Sequence, residues 1–286
     1  MHYPVLLNEC LEYLAMRPEG VYIDATSGLG GHTKAIAERL TTGFVLSSDR
    51  DLDSQELAKK NCAEVADRIR FVHASFSGLK DAAAAAGVQQ ADGLLADLGV
   101  SRYQLTDAER GFSLMVDGPV DMRMDRSQEL TAGDIVNYSA EKALADLIYQ
   151  NGEERRARKI ARAIVRARPI RSTLHLANVI EQAAHRTGRL HPATQTFMAL
   201  RLAVNDETAE LDSLLESAPT LVKSGGRIVF VTFMSLEDRR VKHAFQALVR
   251  EGKAKILTKH VVKPTDSETS ENPASRSAKL RALEMK

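Results

Sequence analysis

The 286-residue sequence predicts an α/β fold, a mostly parallel sheet covered by helices and interrupted by a helical insertion. Three observations predict it. Short β-branched or apolar runs alternate with longer segments whose apolar residues recur at helical spacing. A glycine-rich loop, D-A-T-S-G-L-G-G-H from Asp24 to His32, follows the first of these runs and opens a helix. The alternation then stops from about Leu105 to His191, where helical and loop patterns replace it, and resumes afterwards.

In chain order, the first strands are Val21 to Asp24, Phe44 to Ser48, Ile69 to His73 and Gly93 to Asp97. Helical segments such as His32 to Leu40 and Leu52 to Ala66 separate them, each unit short enough for a right-handed crossover. Beyond the insertion come a long helix from about Ala193 to Ser217, a strand from Arg227 to Phe233 and a helix from Leu236 to Arg250. A strand near Ile256 to Val262 and a last one at Ser277 to Glu284 complete the pattern. Between these two, Thr265 to Pro273 is rich in Ser, Thr, Glu and Asp and reads as a solvated loop. The sheet domain is therefore expected over 1–104 and 193–286, with the inserted helical domain over 105–192.

Composition narrows the function. With 44% hydrophobic and 27% charged residues the chain has material for a real core, and a net charge of +1 excludes a uniformly basic coat while leaving room for a local basic face. Cys10 and Cys62 are too few for a disulfide framework and lack metal-ligand spacing, so they read as small buried side chains in a reducing compartment. The start carries no basic segment followed by an apolar one, and no apolar run approaches the roughly 20 residues that span a bilayer. A cytoplasmic protein without a membrane partner is the expectation; a homo-oligomer is compatible with it.

In an open parallel sheet, ligands bind beyond the carboxyl ends of the strands. That rule selects Asp24 and the glycines Gly28, Gly30 and Gly31 after the first strand, with His32 at the helix start. It selects Asp49 after the second strand, 21 residues beyond Gly28, where a carboxylate can accept both hydroxyl protons of a ribose. Phe76, after the third strand, is placed to cover an adenine face, with core packing as its alternative. Asp97 ends the fourth strand, and D-L-G-V-S turns away from it at Gly99.

The same layout would serve a nicotinamide dinucleotide. In G-x-G-x-x-G, however, the last glycine lets the helix pack closely below a pyrophosphate, and Thr33 stands in that position here. S-adenosylmethionine has no pyrophosphate and does not impose that constraint. A P-loop is excluded because no G-K-[ST] follows the glycines.

Further blocks accompany this loop: H-Y-P-V-L-L at His2, S-D-R-D at Ser48, E-R-G-F-S with D-G-P-V-D-M-R-M-D at Asp117, and G-E-E-R-R-A-R-K-I-A-R-A-I-V at Gly152. H-P-A-T-Q-T-F-M-A-L-R-L-A-V-N-D-E at His191, S-L-E-D-R at Ser235 and N-P-A-S-R-S-A-K-L-R at Asn272 complete the set. Together they resemble the bacterial 16S ribosomal RNA (cytosine-N4) methyltransferases over nearly the whole chain. The resemblance implies a class I methyltransferase (Rossmann-like) fold, S-adenosylmethionine as cofactor, and a decoding-centre cytidine of 16S ribosomal RNA in the small ribosomal subunit as substrate. It also implies that the inserted domain helps recognise that RNA, and that Gly30, Gly31, His32, Asp49, Phe76, Asp97 and Gln104 contact the cofactor.

Three departures from the family pattern stand out. Arg102 and Tyr103 replace a Ser-Pro pair, Met234 stands where the family has a histidine, and Gln195 and Met198 replace an arginine and a glutamine. Any role of that missing histidine does not carry over.

Methyl transfer to an exocyclic amine needs placement and an acceptor aimed at the amine more than a strong base. Asp97 is the candidate catalytic acceptor; a cofactor-binding or loop-bracing carboxylate is the alternative. For Asp49 the competing role is to cap the next helix, which Asp51 or Asp53 can also do. Asp24 is expected to brace the loop. A helix start disfavours protonated His32, which argues against it as a base. Between Gly152 and Arg171 lie eight Lys or Arg and two Glu, and Ala157, Ile160, Ala161 and Ile164 form an apolar stripe. Arg158, Arg162 and Arg166 share one line of that helix as candidate RNA-binding residues, with an ordinary solvated face as the alternative. Asp117, Asp121 and Asp125 lack a calcium-loop ligand pattern and read as partners of Arg123 or Arg126. No metal is expected.

Overall fold

The computed structural model describes residues 4–184 and 190–286; His2 and Tyr3 of the first sequence block, and 185–189 of the expected insertion, lie outside the described residues. The chain divides into two compact units, Met1–Val100 with Ala209–Lys286, and Ser101–Thr208.

The first unit opens with helix α1 (Leu7–Leu14), which buries Cys10, Leu11 and Leu14. Strand β1 (Val21–Asp24), helix α2 (Gly31–Ala37), strand β2 (Phe44–Asp49) and helix α3 (Leu52–Asn61) follow. Asp51 caps α3 by accepting from the Asp53 and Ser54 amides. After a 3₁₀ turn come strand β3 (Ile69–His73), helix α4 (Leu79–Ala85) and strand β4 (Ala91–Asp97). All four of these strands lie where the sequence pattern puts them.

The second unit is helical. It comprises α5 (Arg102–Thr106), α6 (Ala132–Tyr138), α7 (Glu141–Gly152), α8 (Ala157–Ala167), α9 (Thr173–Ala183) and α10 (Thr194–Val204). The chain then returns to the first unit through α11 (Glu207–Leu221), β5 (Val222–Thr232), α12 (Ser235–Arg250), β6 (Ala254–Ile256), α13 (Asp266–Glu271) and β7 (Lys279–Met285).

The seven strands form one sheet in the order β3-β2-β1-β4-β5-β7-β6. β1 to β5 pair in parallel, whereas β7 runs antiparallel between β5 and β6. The order reverses at β1, which lies between β2 and β4, so the crevice at their carboxyl ends is the switch point where such sheets bind ligands. Successive residues of these strands feed opposite faces, as the two-residue period requires: Ile23 and Leu94 join one core cluster, Tyr22 and Leu95 the other. With both faces buried, the strand ends are left for polar chemistry.

Four expectations need correction. The single helix from Ala193 to Ser217 is two helices, α10 and α11, broken at Asp206, whose φ of 47° is left-handed. The adjoining Asn205 is fully buried; its side chain accepts from the Met124 amide at 2.7 Å and donates to the Met122 carbonyl at 2.7 Å. The break moves the boundary: α10 groups with the inserted helices, so the helical unit runs Ser101–Thr208 rather than 105–192. Finally, the segment read as a loop contains α13, capped by Thr265, and β6 is only three residues long, Val262 adding an isolated bridge to Leu280. Among the described residues no helix is long and apolar enough to cross a membrane.

Candidate cofactor and active site

The glycine loop is built on a chain of buried polar groups. Asp24, fully buried at the end of β1, accepts from the Thr33 hydroxyl at 2.6 Å and from the Thr26 amide at 3.1 Å. Thr33 also meets Ser47 of β2 at 2.8 Å, and Ser47 donates to Ser27 at 2.7 Å. The position that holds the third glycine in a dinucleotide fingerprint thus carries a hydroxyl that ties α2 to β1 and β2. Above it, Gly30 has a φ of 85°, and a Cβ there would lie 2.8 Å from the Cys62 sulfur. Any side chain at Gly30 would combine backbone strain with a clash against the end of α3.

Asp49 closes the loop from the β2 side. Its Oδ2 accepts from the Gly28 amide at 2.7 Å and its Oδ1 from the Asp51 amide at 2.9 Å. Asp51 takes the helix cap, which leaves the second lone pairs of the Asp49 oxygens for a ligand. Phe76, after β3, is half-buried and packs against the core.

Asp97 completes the group. Its amide donates to the Thr26 hydroxyl at 2.7 Å, and the following Leu98 amide to the Val231 carbonyl at 2.9 Å, fixing the end of β4 between β1 and β5. Gly99 then turns the chain with a φ of 114°. One carboxylate oxygen, Oδ2, lies 3.6 Å from His32 Nδ1; the other, Oδ1, is buried without a hydrogen-bond partner. His32 Nε2 faces the Val5 carbonyl at 3.1 Å. A carbonyl only accepts, so Nε2 carries a proton and donates it to Val5.

Three carboxyls therefore crowd one sheet edge. Burial pushes Asp24 up to about 7, against the Thr33 and Thr26 hydrogen bonds. Burial likewise pushes Asp49 up to about 6. Asp97 is held well above the ordinary carboxylate range, first by burial and then by the charges of Asp24 and Glu237. On Asp49 the hydrogen bonds from the Asp51 and Gly28 amides and the charge of Arg50 work against this rise. Such an edge offers carboxyl oxygens as hydrogen-bond partners to a ligand. S-adenosylmethionine, with a sulfonium, an ammonium and two ribose hydroxyls, fits these residues.

The whole chain, residues 1–286, matches the model of the MraW methylase family. The chain belongs to that family. It is similar to proteins named ribosomal RNA small subunit methyltransferase H: 64% identical to one from Solibacter usitatus, covering 100% of both chains. The corresponding protein of Koribacter versatilis is 48% identical over 100% of this chain and 94% of its own. That of Clostridioides difficile is 41% identical over 99% and 98%. The sheet is that of a class I methyltransferase, and S-adenosylmethionine is the cofactor of the MraW methylase.

In this methylase the expected residues Asp49 and Asp97 are bonded to the glycine loop, Gly30, Gly31 and His32 follow it into α2, and Phe76 lies just past the end of β3. Gln104 belongs to the helical unit, where its buried side chain closes the capping box of α5: Oε1 accepts from the Ser101 amide at 2.8 Å. Arg102 and Tyr103 start that helix. Met234, at the family's histidine position, precedes α12, and Glu237 caps the turn by accepting from the Phe233 and Met234 amides.

Thr26, Thr33 and Glu237 were not singled out as site residues in the sequence. Glu237 had a usable signal, an acid placed at capping distance after a strand. In the helical unit, α8 buries Ala157, Ile160, Ala161 and Ile164 and exposes Arg158, Arg162 and Arg166. Asp121 is bidentate to Arg123, with both contacts at 2.8 Å.

Proposed function

We propose that this MraW methylase transfers a methyl group to N4 of a decoding-centre cytidine in 16S ribosomal RNA, within the small ribosomal subunit, in the cytoplasm. The observation that carries the chemistry is the unpartnered, buried Asp97 Oδ1 at the switch point of the sheet. The RNA assignment is supported by the names of the relatives and by the exposed arginine line of α8.

Gly30, Gly31, His32, Asp49 and Phe76 would hold the cofactor, with Asp49 on the ribose hydroxyls, and the resemblance adds Gln104. When bound, S-adenosylmethionine supplies a methyl group on a positively charged sulfur. The protein's part is to orient the acceptor amine, and placement at near-attack distance supplies about 7–11 kcal/mol. Asp97 Oδ1 accepts an N–H of the amine and aims its lone pair. As the nitrogen gains a carbon it must lose a proton, which Asp97 Oδ1 is placed to take. The target base must lie outside a paired stack, because N4 is engaged in pairing inside one.

The test is transfer of labelled methyl to small-subunit particles from a strain lacking this methylation, followed by mass spectrometry of the nucleosides. N4-methylcytidine is expected. A different methylated nucleoside overturns the N4 assignment, and tight particle binding without transfer overturns the enzyme reading in favour of an RNA-binding assembly factor.

A further inference from the structure

Among the described residues of the helical unit, the most exposed large apolar or aromatic side chain is Tyr138, at 82%, on the last turn of α6. A solitary exposed ring is ordinary. This one is mounted on a rigid support. On one side of it, Asn137 is locked by a reciprocal pair of bonds: Nδ2 donates to the Ile170 carbonyl at 3.1 Å and Oδ1 accepts from the Ile170 amide at 2.8 Å. On the other, Arg168 donates to the Ser139 carbonyl at 2.6 Å, and it also donates to the Val136 carbonyl at 2.8 Å. The backbone is fixed before and after the ring while the ring itself stays in solvent.

The surroundings are cationic. Arg162, midway along α8, reaches Glu141, three residues beyond Tyr138, at 3.3 Å, and Arg168, just past α8, bonds the Val136 and Ser139 carbonyls, so the second half of α8 runs alongside the segment that carries the ring. Arg166 is exposed on the last turn of α8, and Lys142 is exposed next to Glu141. Along α8, Arg158, Arg162 and Arg166 rise by about 6 Å per step, close to the spacing of successive phosphates in an extended single strand. An exposed π face on a fixed backbone, beside a ladder of positive charge, is the arrangement that binds unpaired nucleic acid: the aromatic stacks a base and the cations follow the backbone. Because the backbone that carries the ring is already ordered, stacking has only the ring's own torsions to fix.

We infer that Tyr138 is a stacking platform for an unpaired base of the substrate RNA, with the α8 arginines neutralising the adjacent phosphates. This rests on the RNA-methylating reading and adds to it a specific residue and a preference for single strands.

The experiment is fluorescence anisotropy of the full chain with a labelled single-stranded decoding-centre RNA, and with the same sequence as a duplex, over a salt series. Tyr138→Ala should weaken single-strand binding about 5- to 150-fold without changing the salt slope, because no phosphate contact is lost. Tyr138→Phe should bind within about two-fold of the parent, since it keeps the π face. Arg162→Gln should instead lower the slope by about 0.7. Tyr138→Leu guards against a folding defect, because it keeps apolar bulk and should still lose affinity. Affinity of Tyr138→Ala within two-fold of the parent, or an equal loss on the duplex, overturns the proposal. Labelled-methyl transfer run alongside separates the two readings. Absent transfer with Tyr138-dependent binding sinks the methylation reading alone; full transfer with Tyr138-independent binding sinks the platform alone.

Discussion

Asp49 holds the Gly28 amide with one oxygen and the Asp51 amide with the other, and still faces the switch point. Holding and chemistry are separable at this scale by two variants. Asp49→Ala removes both a loop brace and the ribose acceptor, so calorimetry should show cofactor affinity about 10- to 100-fold weaker, the worth of hydrogen bonds to a charged group. Asp97→Asn keeps an acceptor at Oδ1 but cannot take a proton; its kcat should fall about 10²- to 10⁴-fold, more than its affinity does. Equal losses in both quantities for Asp97→Asn would reduce that residue to a binding group. The glycines and the strand-end acids were legible in the sequence because a parallel sheet sends its ligand to one edge. Thr26 was not, because its partner, the Asp97 amide, is 71 residues away. Thr33 was visible only as a missing glycine, and nothing local announced that its hydroxyl meets Asp24.

Among the elements, the strands were easiest to read and the break between α10 and α11 was hidden. Apolar residues continue at helical spacing through 193–217, so periodicity gives no warning. What ends α10 is Asn205, whose amide satisfies the backbone of the Met122 to Met124 loop more than 80 positions earlier. Asn205→Ala would leave a buried N–H and a buried carbonyl without partners and should cost about 2–4 kcal/mol. Thermal melting is the check, and a variant that melts with the parent would show that the loop does not depend on this side chain. Loop 265–273 hid a helix for another reason: α13 buries no residue, so no apolar stripe marks it.

For the molecule as a whole, the acidic sheet edge links stability to pH. The folded-state values of Asp24 and Asp49, about 7 and about 6, exceed the ordinary 3.8, so between about pH 4 and 7 the folded protein binds more protons than the unfolded chain. Stability from these groups therefore falls as pH rises through that window and is lowest above it. Asn at position 24 does not titrate. Asp24→Asn should accordingly gain melting temperature over the parent as pH is raised from 5 to 8, by about 2–4 °C for each kcal/mol relieved. Saturating S-adenosylmethionine should shrink that gap, since its cations neutralise the same edge. A gap independent of pH would mean that Asp24 is ionised throughout the window. The two-part organisation was legible from the interrupted alternation; its boundary was not, because the α10 pattern suits either unit.

Strand β7 follows every other strand in chain order, yet it lies inside the sheet between β5 and β6. The Leu6 amide, just before α1, is likewise held by Glu268 at 2.8 Å. During synthesis, β1 to β4 emerge early and can pair with one another, but β5 keeps an unpaired edge and β6 has no neighbour until the last strand is released. The sheet of this enzyme is consequently completed by a strand made after both of its neighbours. From the emergence of β5 until β7 is released, the nascent chain presents an open apolar edge, an interval in which chaperones have most to protect.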